Sequence, residues 1–220
     1  MPSKNSTKTY MENGYYHIYN RGVEKRFIFL DQQDYGVFLS YLKEYLLPKK
    51  EQELHERLSD PQISSVARNK VLKSLQLNNF NQEIILLAYC LMPNHFHFFV
   101  KQKSINAIDK FMNSLATRYT MYFNRKYKRV GSLCQDVYKA VLIKNEAQFL
   151  HLSRYIHKQA LSLDQPCSYP EYIGLRQTLW IKPDEVLAYF SNTNPSLSYQ
   201  NFVEQPEETK GLEGLTLEDN

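Results

Sequence analysis

Cysteine, glycine and long apolar runs are all scarce in this chain of 220 residues. Its three cysteines (Cys90, Cys134 and Cys167) are scattered and form no Cys-x-x-Cys pair. That excludes a disulfide framework and a cysteine-rich zinc site, and makes a reducing, cytoplasmic setting the expectation. Seven glycines exclude collagen-like and glycine-rich linker architectures. The longest unbroken apolar run, Ile84 to Met92, is about half of what a membrane helix needs. The polar start Met1-Pro-Ser-Lys-Asn-Ser is followed by no apolar segment of a secretory signal. Present in quantity are hydrophobic residues, at 43% enough for a substantial core, and 17 tyrosines. Residues 203–220 hold six acids against Lys210, a local −5, so the formal +4 of the chain conceals +9 on residues 1–202. A body of that charge favours polyanionic partners, nucleic acid above all.

The pattern along the chain predicts a mixed fold. After a flexible start over residues 1–13, Tyr15 to Arg21 lies between two glycines and is β-prone, a first strand. Asp31 can cap a helix from Gln32 to about Leu46, with Tyr35, Phe38, Leu39 and Leu42 at helical spacing. Residues 49–80 are polar and read as a helical insertion. Glu83 to Met92 and Phe96 to Val100 are apolar runs across the turn residues Pro93-Asn94, an antiparallel hairpin. A helix over about Ile105 to Tyr127 follows, then a strand over Val137 to Ile143 and a helix capped by Asn145 and running to about Leu161. This order is α+β, a ferredoxin-like antiparallel sheet with helices on one face and one added helix. Residues 163–202 form a C-terminal extension, and the acidic 203–220 a disordered tail.

Three features can carry chemistry. Residues two apart on a strand share a face, so His95 and His97 point together with Phe99, while Phe96, Phe98 and Val100 take the apolar side. Two such imidazoles can ligate one ion through one nitrogen each, or be ordinary half-buried histidines. On the last core helix Tyr155 and Gln159 are four apart and therefore neighbours. With the histidines, the Gln159 amide oxygen makes a mixed oxygen/nitrogen donor set suited to Mg²⁺ or Mn²⁺, and the phenol is a candidate nucleophile. Third, Arg118 to Arg129 carries five cations and no acid, with Tyr119, Tyr122, Phe123 and Tyr127 interleaved. Cations hold phosphates while aromatic faces stack on unpaired bases, although the same pattern also suits a helix with a buried aromatic side. His17, on the first strand, could line the same face but reads as structural.

Tyr16-His-Ile-Tyr-Asn-Arg-Gly22, Leu91-Met-Pro-Asn-His-Phe-His97, Arg118-Tyr-Thr-x-Tyr-Phe-Asn-Arg125, Tyr138-Lys-Ala140 and Leu152-Ser-Arg-Tyr-Ile-His157 occur in that order. Together they resemble the REP-associated tyrosine transposases, in the single-tyrosine branch of the HUH (His-hydrophobe-His) endonucleases. The resemblance covers about residues 14–162. It implies a metal-dependent nuclease and strand transferase acting on single-stranded or hairpin DNA, as a monomer or homodimer, with Mg²⁺ or Mn²⁺ on His95, His97 and Gln159. Tyr155 would be the nucleophile that forms a 5′-phosphotyrosine. The cations expected against DNA are Arg21, Arg118, Arg125, Lys126, Lys128, Arg129 and Lys139. Two departures stand out: Gln159-Ala160 where the family commonly has Asn-Pro, and Cys134 where an aromatic residue is frequent. The alternatives are a phosphodiesterase that uses water and an inert hairpin-DNA-binding protein.

Overall fold

The structure, a computed structural model, describes residues 8–206. The core runs β1 (Tyr15–Arg21), α1 (Gln32–Leu46), β2 (Ile84–Met92), β3 (His95–Gln102), α4 (Ala107–Lys126), β4 (Lys139–Leu142) and α5 (Glu146–Leu161). Between α1 and β2 lie α2 (Glu51–Ser59) and α3 (Ser65–Gln76), the expected helical insertion. The sheet order is β2-β3-β1-β4 with every neighbouring pair antiparallel, the ferredoxin-like arrangement anticipated from the sequence. Local chemistry sets the boundaries. The Asp31 side chain accepts from Asp34 N at 3.0 Å to start α1, and Asn145 accepts from Gln148 N at 2.8 Å to start α5. Gln148 Oε1 accepts in return from Lys144 N at 2.8 Å, one residue before the cap position.

Two apolar layers enclose the sheet. Ile18, Phe96, Phe98 and Val100 pack under α1 and α4, with Phe38, Leu42, Phe111, Leu115 and Tyr119. Phe99, Ala88, Cys90 and Met92 pack under α5, with Leu152, Ile156 and Ala160. The near-continuous apolar run of β2 follows from this double cover. A register shift between Leu86 and Ala88 adds Leu87 as an extra residue, so Leu86 serves the first layer and Leu87 and Ala88 the second.

The turn between β2 and β3 is pinned from outside. Ile28 N and Phe29 N donate to Pro93 O at 2.8 and 3.1 Å, and Gly22 N donates to Asn94 O at 2.8 Å. The glycine is demanded by proximity, because a Cβ there would lie 2.2 Å from Arg26 O.

The ends depart from expectation. Within the stretch read as a flexible start, Tyr10 donates to Asp109 and Met11 O accepts from Gln102 Nε2 at 3.0 Å, so residues 8–13 are bonded to the core; residues 1–7 lie outside the described residues. The extension forms α6 (Tyr169–Tyr172), α7 (Asp184–Leu187) and α8 (Tyr199–Glu204). It runs along edge strand β2: Leu91 N donates to Pro166 O, Ser168 N to Tyr89 O and Lys182 N to Leu86 O. An otherwise open row of backbone groups is thereby covered. The expected tail boundary at 203 falls inside α8, where Val203 is buried; residues 207–220 of that tail lie outside the described residues. Among the described residues no helix is long and apolar enough to cross a membrane.

Candidate functional site

Register places the histidines. On β3, His95, His97 and Phe99 face α5. Their partners on β1 are Arg21, Tyr19 and His17, which point the same way because opposed antiparallel residues share a face. Lys139 on β4 pairs with Tyr19 and joins them. The apolar side of α5 docks on this face through fully buried Leu152, Ile156 and Ala160, which brings Tyr155 over the imidazoles. The Tyr155 ring centroid lies 5.4 Å from that of His97 and 6.1 Å from that of His17, both edge-on. His95 and His97 are 5.0 Å apart, centroid to centroid. The structure therefore brings together His95, His97, Tyr155 and Gln159 from two elements distant in sequence.

Hydrogen bonds fix the state of each group. Gln159 Nε2 donates to Tyr155 Oη at 2.7 Å, which turns Gln159 Oε1 toward His95 Nε2, 3.4 Å away. Asn94 Nδ2 donates to Lys25 O at 3.3 Å, so Asn94 Oδ1 faces His95 and accepts from Nδ1 at 2.6 Å. With its proton on Nδ1, His95 presents a lone pair at Nε2. Two acceptors, an imidazole nitrogen and an amide oxygen, then face one another. A cation relieves that opposition; without one, a half-turn of the amide would do so by offering N–H. His97 is fully buried, its Nδ1 is 2.8 Å from His17 Nε2, and its Nε2 has no hydrogen-bond partner. Burial holds the pKa of His95 below the ordinary value, and that of His97 well below it, so both rings are neutral at pH 7. Two neutral imidazoles, one orphaned nitrogen and an inward amide oxygen fit a divalent ion of the Mg²⁺ or Mn²⁺ kind, with room in its shell for waters and phosphate oxygens. Among the described residues no three His, Cys, Asp or Glu side chains gather as a metal cluster, so this donor set depends on the amide.

Residues 60–159 match the family model described as transposase IS200 like. The match covers just under half of the chain, so it marks a similarity to that family. Among solved structures, a REP-associated tyrosine transposase bound to a REP hairpin is 10% identical with a TM-score of 0.49, over 80% of this chain and 95% of that one. A transposase-like protein from Deinococcus radiodurans is 14% identical with a TM-score of 0.29, over 70% and 96%. A tRNA(His) guanylyltransferase from Saccharomyces cerevisiae is 12% identical with a TM-score of 0.34, over 96% and 80%. No curated protein matches the chain.

The seven cations expected against DNA separate into three groups. Arg21 and Lys139 lie on the histidine face; Arg21 donates to Gln135 Oε1 at 3.0 Å and Lys139 pairs with Asp136 at 3.2 Å. Arg118 and Lys126 lie on the other side of the sheet, each tied to α1. Arg118 pairs with Glu44 at 2.7 Å and stacks on Tyr41, while Lys126 pairs with Asp31 and with buried Asp34 at 2.7 and 2.8 Å. Arg125, Lys128 and Arg129 sit at the C-terminal end of α4, where cations also suit the helix dipole; Arg125 and Lys128 are exposed. A cavity of about 470 Å³, lined by Phe96, Met112, Tyr119, Leu133, Cys134 and Tyr138, opens beneath α4 on the face away from the histidines. Sequence reasoning gave two contributors to the site a structural role only. His17 was readable from the alternation Tyr15, His17, Tyr19, Arg21 on one face of β1, and Asn94 was read only as a turn residue.

Proposed function

We propose that the chain is a metal-dependent endonuclease and strand transferase for single-stranded or hairpin DNA, in which Tyr155 attacks the scissile phosphate. The observation that carries this reading is the convergence of the Tyr155 phenol, the Gln159 amide and the His95 and His97 imidazoles on one sheet face. His95 Nε2, His97 Nε2 and Gln159 Oε1 would hold the ion. When bound, it would neutralise charge on the phosphate and orient the ester for in-line displacement. Gln159 bridges the two functions: its oxygen faces the ion position and its N–H points the Tyr155 oxygen.

Attack by Tyr155 Oη forms the phosphotyrosine P–O bond and breaks the bond to the 3′ oxygen. The phenolic proton ends on that departing oxygen, so no net acid or base is consumed. The product is a 5′-phosphotyrosine and a free 3′-hydroxyl, and a 3′-hydroxyl of another strand reverses the step without ATP. Arg21 and Lys139, on the same face, would take flanking phosphates.

The test is to incubate the protein with end-labelled single-stranded DNA and Mn²⁺ and resolve the products on a denaturing gel. The expected result is a protein–DNA adduct that Tyr155→Phe abolishes while DNA binding persists. Cleavage with no attached protein assigns the water-using reaction instead. Binding indifferent to Mg²⁺ and Mn²⁺, with no cleavage, assigns an inert DNA-binding protein.

A further inference from the structure

We infer that His17 is a positioning residue for the ion site, accepting the Nδ1 proton of His97 and so holding that ring in the tautomer whose Nε2 lone pair is free to coordinate. The inference rests on the metal reading above and adds a residue to it. The two nitrogens are 2.8 Å apart and both side chains are fully buried. One nitrogen must donate and the other accept, which leaves two arrangements. If His17 donated, His97 would carry its proton on Nε2, a buried N–H with no acceptor. If His97 donates, the orphaned atom is a lone pair, and a lone pair is what a cation satisfies.

The other ligand follows the same plan. His95 also has its Nδ1 held, by Asn94 Oδ1 at 2.6 Å, and its Nε2 turned toward Gln159. Each imidazole is thus anchored at one nitrogen and offered at the other, the usual division of labour between a ligand and its outer partner. The register explains how His17 reaches. Tyr19 lies directly opposite His97, so His17 is the diagonal neighbour on the same face, within range of a ring-to-ring bond. Tyr19 packs against both, at 4.9 Å from His17 and 5.9 Å from His97 between ring centroids.

The test uses the full chain labelled with ¹⁵N-histidine, and long-range ¹H–¹⁵N correlation to read the His97 tautomer without any substitution. The Nδ1–H form is expected, and an Nε2–H form overturns the inference. Mn²⁺ binding by electron paramagnetic resonance, with thermal unfolding as the check on folding, is then compared across variants. His17→Phe keeps a ring but no acceptor and should weaken Mn²⁺ binding about 10–100-fold. His17→Gln, whose amide oxygen can accept from Nδ1, should recover most of it. A folded His17→Phe with native Mn²⁺ affinity, or a His17→Gln as weak as His17→Phe, refutes the positioning role. Should His95→Ala and His97→Ala also leave Mn²⁺ binding unchanged, it is the metal site itself that fails.

Discussion

Replacing His157 by leucine tests how α5, the helix that carries Tyr155, is held in place. His157 is fully buried; its Nδ1 is 2.7 Å from Tyr199 Oη and its Nε2 is 2.8 Å from Ser168 Oγ. Ser168 Oγ in turn accepts from Tyr89 N at 2.9 Å, so one imidazole joins α5 to the extension and to β2. Leucine takes one partner from each of two buried hydroxyls, at about 1–3 kcal/mol each, a loss of roughly 2–6 kcal/mol. For a chain of this size that is a fall in Tm of roughly 4–24 °C. The histidine also carries a pH signature. Burial pushes its pKa down to about 3, against about 6.5 when unfolded. The unfolded ring accepts a proton that the folded one refuses, so this contribution is fully present above about pH 6.5 and is lost as pH falls toward the folded value. Between pH 7.5 and 5 the native protein should lose about 2 kcal/mol from this group alone. His95 and His97 remain in both proteins and cancel. Urea titrations at the two pH values should therefore show the difference between native and His157→Leu shrinking by about 2 kcal/mol at pH 5. A difference below about 1 kcal/mol at pH 7.5, or one independent of pH, refutes the reasoning.

Gly22→Ala should destabilise by about 1–3 kcal/mol in urea unfolding, because its Cβ would overlap Arg26 O and force the turn that pins Asn94 to move; native stability would show that the close approach is not held. The paired change Arg125→Ala and Lys128→Ala should lower the slope of log affinity against log salt for single-stranded DNA by about 0.7 for each phosphate these side chains neutralise, measured by fluorescence anisotropy. An unaltered slope would remove the end of α4 from the DNA-binding surface.

Much of this fold is written in local signals. Asp31 and Asn145 mark helix starts with the side chains that make the caps, and the alternation on β3 separates the ligand candidates from the core by pattern alone. The spacing of Tyr155 and Gln159 does the same for the helix. Less legible is whatever depends on distant packing. Lys126 looks in sequence like one more free cation in a basic run, yet Asp31 and Asp34, more than ninety residues away, take it into an ion pair. The extension carries few periodic apolar residues and reads as an appendage, whereas its backbone pairs with β2 and Tyr172 and Tyr199 fill the space under α5. His17 reads as structural because a lone histidine in a strand has no partner in sequence; only the strand order, β1 beside β3, supplies one.

The same packing determines how DNA could reach the phenol. Leu152, Ile156 and Ala160 seat α5 on the sheet, so the distance between Tyr155 and the imidazoles is set by a packed helix and not by a loop, which suits a nucleophile whose line of attack must be held. That seating leaves Tyr155 only 5% exposed. Behind it lie His17 and His97, both fully buried, while His95, Gln159, Arg21 and Lys139 are all partly open to solvent. On the proposed chemistry a phosphodiester would approach by this polar rim, past the amide and His95, with the two cations beside it. On the proposed chemistry that is also the order in which it is needed: phosphate oxygens meet the cations and the ion first, and the phenol last.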